Sequence, residues 1–376
     1  MMEFKQLFPY LRYVIRIIFV TIGNLLGIPA YIVWSFLLYP IRIYCPEVYW
    51  THVEPPLFKA LLGIVSSWLN SGGYKIMESG DDLNSILTDE ALVLVNHQST
   101  SDVPFIMTSL HSKGMAGGCI TWVMDYIFKF TNFGWVSVFH GDFFIVQGKD
   151  GRDEQLVKLK QHLYNSYLPT GKKWMVVFPE GGFLYKRKIS SQRYAKKNNY
   201  PVLEHVTLPR IGAVKTITDS LYHETQTNGF RKENTIHMNR KLKWVIDITI
   251  GYPERDPLSF PGMMAGIYEP RHVHLHYRAY PITEVPCDSD SLQNWLYEKF
   301  TEKEELLEQF YNNKQTMDKT DKQKRNLPRL TEQELKADIQ GIVCSYIFYS
   351  FSSYIFWHCL YKHLFCLIGW SLSFLF

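Results

Sequence analysis

The chain has 376 residues, enough for one sizeable domain or two small ones, and its 46% hydrophobic and 15% aromatic content supplies a core with apolar sequence to spare. A net charge of +4 gives no support to nucleic-acid binding and suits an anionic membrane surface equally well. The six cysteines form no CxxC pair, which excludes a zinc module or the disulfide framework of a small secreted domain; they read as reduced thiols.

The first element is an uncharged run, residues 17–41, long enough to span about 30 Å of hydrocarbon. No small-residue cleavage site follows it, so it reads as an uncleaved anchor, with Gly27 and Pro29 permitting a kink or re-entrant bend. Residues 55–73 place Leu57, Leu61, Leu62, Val65 and Leu69 at helical spacing and stop at Gly72-Gly73. Strands are expected near 91–95, 135–139, 174–178, 204–208, 243–250 and 272–279. Helices are expected between them at 102–112, 152–167, 211–221 and 291–311. Strands alternating with helices predict an α/β fold, a mixed sheet with flanking helices and membrane segments at both ends.

Residues 224–240 are polar and patternless, a surface loop. Residues 312–340, rich in Lys, Gln, Asp and Glu, read as a solvated tether to a second apolar segment at 341–376. The expected organisation is therefore an anchor at 1–41, a domain at 42–311 containing the amphipathic helix, the tether at 312–340, and the C-terminal membrane segment.

Four short motifs carry the chemistry. In VNHQSTSD, His97 sits at the tip of a buried strand, and Asp102 begins the following helix with Ser101 as its N-cap. A carboxylate bonded to one imidazole nitrogen fixes the tautomer and leaves the other free to act as a base. Taken alone, the pair reads more readily as a histidine capping a turn, since short motifs recur by chance. HGDFFIVQG at 140–148 is a strand end between glycines. VVFPEGGF at 176–183 stops at Pro179 and is expected to expose Glu180 beside Gly181 and Gly182, whose backbone can approach an anion closely. VTLPRIGA at 206–213 is a further strand ending in Pro209 and opening a helix.

This ordered set resembles the glycerolipid acyltransferase family, most closely its lysophosphatidylglycerol acyltransferase branch, over about residues 15–310 and more loosely the tail. The resemblance implies His97 as base and Asp102 as its orienting partner. It implies that Asn96, Glu180, Gly181 and Gly182 help hold the acceptor, and that Pro209 belongs to a block assigned to acyl-donor binding or local architecture. The second block departs from the family: Val146 and Gln147 follow Ile145 where an arginine for acceptor phosphate is usual. Lys149 or Arg152 are the candidate replacements. The basic run 185–197, including Lys186 and Arg187, is a candidate for coenzyme A phosphates or anionic headgroups, with a solvated basic face as the alternative.

The expected partners are acyl-CoA as co-substrate, a lysophospholipid and the lipid bilayer, with no cofactor, no metal and no nucleic acid. His272, His274 and His276 share one strand face, but no acidic base lies near them in sequence. The expected location is a membrane, the endoplasmic reticulum. Lys5, Arg12 and Arg16 put the N-terminus in the cytosol, where a simple span would send the domain to the lumen, away from acyl-CoA; a segment bent at Pro29 avoids this. With no G-x-S-x-G elbow and no Cys beside the base, the resemblance implies direct attack without an acyl-enzyme. A hydrolase using water as acceptor and an inactive lipid-binding protein remain the alternatives.

Overall fold

A computed structural model describes residues 4–148, 151–223, 242–313, 317 and 326–373. Its strands are β1 (Lys75–Asp81), β2 (Ala91–Val95), β3 (Ile120–Asp125), β4 (Phe143–Ile145), β5 (Trp174–Val177), β6 (Trp244–Gly251), β7 (His272–Pro281) and β8 (Arg329–Glu334). They form one sheet in the order β4-β3-β5-β2-β6-β7-β1-β8. Strands β4, β3, β5, β2 and β6 run parallel; β7 is antiparallel to β6, β1 parallel to β7, and β8 antiparallel to β1. The ALVLV and WMVV runs of β2 and β5 are buried on both faces, which is why they are continuously apolar.

The helices that matter below are α1 (Phe4–Leu37), α2 (Glu54–Ser71), α3 (Asp102–Ser112), α4 (Asn132–His140), α5 (Arg152–His162), α6 (Leu184–Lys197), α7 (Ile211–Thr218), α8 (Phe260–Ala265), α9 (Ser289–Asn313) and α10 (Ile339–Ser373). Val93 and Val95 face a core shared with α1, α2, α3 and α10, through residues such as Tyr31, Leu61, Phe105 and Tyr349. Leu92 and Leu94, pointing the other way by strand alternation, face a second core with Leu159, Val214, Ile217 and Leu292 from α5, α7 and α9. The α/β expectation is met, as a three-layer arrangement around a mixed sheet.

Both terminal helices belong to this packing. Within them, Tyr10–Leu37 and Ile339–His363 are long and apolar enough to cross a membrane. Yet Arg16 donates to Ser71 Oγ at 2.8 Å and Trp68 O at 2.9 Å, and Tyr31 donates to Glu54 at 3.1 Å. Tyr349 reaches Leu57 O at 2.8 Å, and Trp34 reaches Ser352 at 3.0 Å, which ties α10 to α2 and α1. The outward faces stay apolar and open, with Ile15, Ile18, Leu25 and Phe36 exposed. α1 runs unbroken through Pro29, where the sequence reading placed a bend.

Other expectations are corrected. Residues 135–139 are not a strand but part of α4. The Thr131 hydroxyl caps Gly134 N at 3.0 Å and Gly141 closes the helix at φ 85°, so capping outweighs a short apolar run. Residues 204–208 form no strand either. The N–H groups of Glu204, His205 and Val206 donate to Glu304, and that of Thr207 donates to Glu180, so carboxylates take the place of a ladder. Within the expected tether, Arg329–Glu334 form β8, a polar edge strand pairing with β1. Ser101 does not cap α3; its hydroxyl bonds Leu258 O. The polar loop 224–240 lies outside the described residues.

One glycine fixes the pairing of β1 with β7. Gly80 has φ +104° and stands opposite Tyr277, where a Cβ would lie 2.1 Å from the Tyr277 carbonyl oxygen. No side chain fits that approach.

Candidate active site

The carboxyl ends of β2, β5 and β6 converge, the place where open α/β sheets bind their ligands. β2 delivers Asn96 and His97, β5 delivers Phe178 to Glu180, and β6 delivers Ile250 to Tyr252. Asn96 is fully buried and its amide copies a strand pairing: Nδ2 donates to Ile250 O at 3.0 Å, and Oδ1 accepts from Ile250 N at 2.8 Å. Asn96 therefore locks the loop to β6, and its polar atoms are occupied within the protein. Ser99 Oγ and Ser101 Oγ both bond Leu258 O, which fastens the rest of the loop to the chain after β6.

His97 Nδ1 and Asp102 Oδ2 are 2.8 Å apart. The same oxygen accepts from Gln98 N at 2.7 Å and Ser99 N at 2.9 Å, so the loop before α3 closes on the carboxylate. Asp102 is fully buried and His97 is 9% exposed. A carboxylate at Nδ1 places the proton there and leaves Nε2 as the basic atom; no described residue bonds Nε2. The imidazole lies between two phenyl rings, stacked on Phe178 with centroids 4.0 Å apart and tilted against Phe183 at 4.3 Å. That apolar sandwich keeps water from competing for the ring and holds its plane.

Glu180 is not exposed as the sequence suggested. It is buried, and both carboxylate oxygens serve the protein. Oε1 accepts from His97 N at 2.6 Å, while Oε2 accepts from Thr207 N at 2.8 Å and Thr207 Oγ1 at 2.7 Å. It thus joins the three motif loops at one point. Burial pushes its carboxyl up to about 7, against the opposing pull of the Thr207 and His97 hydrogen bonds and of Lys303. Gly181 and Gly182, at φ +68° and +151°, let the chain turn away after this buried residue.

That turn brings together basic side chains that are far apart in sequence. A Cβ on Gly181 would lie 3.1 Å from the Arg210 guanidinium, one on Gly182 3.2 Å from Arg187, and one on Gly212 3.4 Å from the Arg152 guanidinium. Arg210 is lowered from its ordinary value first by burial and then by the charges of Arg187 and Arg152. Arg187 is lowered by burial and raised in part by Glu180. Arg210 N bonds Pro179 O at 2.7 Å, which fixes the fourth motif, with the buried Pro209, against the third. Lys186 lies over the Phe183 and Tyr185 rings. Lys149 is outside the described residues.

Sequence reading missed Phe178, Phe183, Thr207, Arg210 and Tyr252. Arg210 could have been found, since it directly follows Pro209 in a motif already singled out; Tyr252 carried no signal. Of the histidines on β7, His274 pairs with Glu332 at 2.8 Å and His276 with Ser79 at 2.9 Å. Among the described residues no group of three His, Cys, Asp or Glu side chains is arranged to hold a metal.

The sheet gathers the motifs at its strand ends, and comparison with known proteins identifies the chain as an acyltransferase. Residues 78–208 match the family described as Acyltransferase, and residues 262–333 the one described as Acyltransferase C-terminus. The chain is 45% identical over 299 residues to human acyl-CoA:lysophosphatidylglycerol acyltransferase 1, covering 79% of this chain and 80% of the relative. The mouse protein of that name is 45% identical over 312 residues, 81% and 84% of the two chains. Zebrafish (Danio rerio) lysocardiolipin acyltransferase 1 is 24% identical over 257 residues, 66% and 61%. The chain belongs to the glycerolipid acyltransferase family, in the branch that contains the first two relatives.

Proposed function

We propose that this acyltransferase moves an acyl group from acyl-CoA to the free hydroxyl of a lysophospholipid, with lysophosphatidylglycerol as the first acceptor to test and lysophosphatidylethanolamine and lysophosphatidylinositol next. The acceptor hydroxyl attacks the thioester carbonyl while His97 Nε2 takes its proton; collapse of the adduct expels the coenzyme A thiolate, which recovers that proton from the imidazolium. Asp102 holds the Nδ1–H and stabilises the imidazolium. No acyl-enzyme is formed.

What supports this reading most is the 2.8 Å bond between His97 and the buried Asp102, with Nε2 unbonded among the described residues. In a lysophospholipid the phosphate lies only a few bonds from the free glycerol hydroxyl, whereas the phosphates of coenzyme A are distant from its thioester. Arg210 and Arg187 lie against Gly181 and Gly182, the two residues before Phe183, whose ring touches His97. We therefore assign Arg152, Arg187 and Arg210 to the acceptor phosphate, in place of the arginine that the second motif lacks, with Glu180 and Asn96 as positioning residues. The apolar outer faces of α1 and α10 suit a bilayer, that of the endoplasmic reticulum in our reading, from which the lipid enters laterally while acyl-CoA arrives from water. Membranes carrying the protein should convert labelled acyl-CoA and lysophosphatidylglycerol to diacyl product, and His97→Ala should abolish it. Release of free fatty acid without diacyl product would favour hydrolysis.

A further inference from the structure

An ionised carboxylate offers about four acceptor positions, and a buried one left partly unbonded is costly. Asp102 meets that demand with four donors. His97 Nδ1, Gln98 N and Ser99 N all fall on Oδ2, and Oδ1 has one partner among the described residues, the hydroxyl of Tyr252, at 2.6 Å. Tyr252 follows the last residue of β6, so this bond joins the end of the strand beside β2 to the first turn of α3. Both groups are fully buried, and the Tyr252 ring lies edge-on to Phe105 of α3 with centroids 6.0 Å apart.

We propose that Tyr252 is a positioning residue for the reaction: its hydroxyl anchors Oδ1, prevents the carboxylate from rotating about its own axis, and so keeps Oδ2 on His97 Nδ1. The inference rests on the general-base reading of His97. The phenol is held as a donor, since burial and the adjoining Asp102 charge raise it well above the ordinary range. Its donated hydrogen bond also draws charge from the carboxylate. The other ionisable groups facing this assembly are Glu180, on the His97 backbone; Lys303 and Arg187, which act through Glu180; and Tyr311, whose hydroxyl meets Gln98. None of them bonds Oδ1.

The test is a double-mutant cycle on the full-length protein in membranes, with palmitoyl-CoA and lysophosphatidylglycerol as substrates. Tyr252→Phe keeps the ring and its packing. It should lower kcat about tenfold, the size of one hydrogen bond to a charged group, with little change in either KM. In an Asp102→Asn background, Tyr252→Phe should cost almost nothing more, because its action passes through the carboxylate. An equal loss in both backgrounds, or a loss that falls on KM and not on kcat, would overturn the proposal. Full activity in Asp102→Asn alone would instead overturn the general-base reading, and the role of Tyr252 with it.

Discussion

Glu180→Gln changes one atom and leaves the volume of the site unchanged. In the native protein the carboxyl is buried and its ionisation is pushed up to about 7, against an ordinary value near 4.5. A carboxyl raised on folding contributes stability that is fully present below the unfolded value and is lost as pH climbs through the folded one. Between about pH 5 and pH 8, linkage therefore removes roughly 2–3 kcal/mol of stability from the native chain through this group. Glutamine has nothing to ionise and escapes that loss. It brings a cost of its own, because its NH₂ must face either the His97 N–H or the two Thr207 donors now held by carboxylate oxygens. One unmet buried donor costs about 1–3 kcal/mol at either pH. Glu180→Gln should thus be less stable than the native protein at about pH 5 and equal or better at about pH 8, the gap narrowing by several degrees in Tm. Thermal unfolding of both proteins in detergent, followed by intrinsic tryptophan fluorescence across that range, measures it. A Tm difference independent of pH would refute the reasoning, since the carboxyl would then not be titrating in the folded protein at these pH values.

Two further outcomes follow from single positions. Arg210→Gln should raise KM for the lysophospholipid by about tenfold or more while leaving KM for acyl-CoA within about twofold, because a charge-assisted bond to phosphate is worth about 1.5–3 kcal/mol; steady-state kinetics varying each substrate separates the two. Gly80→Ala should prevent β1 from pairing with β7, since the added carbon would lie 2.1 Å from the Tyr277 carbonyl oxygen at a φ that only glycine adopts readily; the expected result is loss of folded protein by size-exclusion chromatography, and a native-like elution profile would contradict it.

How much of this was legible beforehand depended on where the information lies. β2, β5 and β6 could be read because strands buried on both faces must be apolar throughout. β1 and β8 could not, because KIMESGD and RLTEQE are polar and become strands only by pairing with each other and with β7. α4 was misread because GWVSVF is β-prone in isolation and the decision came from Thr131 and Gly141 at its ends. At the site, His97 and Asp102 are local in sequence, and the helix start between them dictates their meeting. Tyr252 and Thr207 act on residues 150 and 27 positions away, and no spacing rule reaches across a sheet. Glu180 was recognised by its motif yet misplaced, since a glutamate beside two glycines reads as exposed until its three donors are seen.

The central claim is that His97, oriented by Asp102, removes the proton from a lysophospholipid hydroxyl. The most direct measurement is a labelled acyl-CoA assay on membranes containing the native protein, His97→Ala or Asp102→Asn, each offered a panel of lysophospholipid headgroups and probed by immunoblot for equal protein. The account predicts a diacyl product with the native protein, strongest with lysophosphatidylglycerol, that is lost in His97→Ala and reduced by orders of magnitude in Asp102→Asn. Undiminished product from His97→Ala at equal protein level would contradict it.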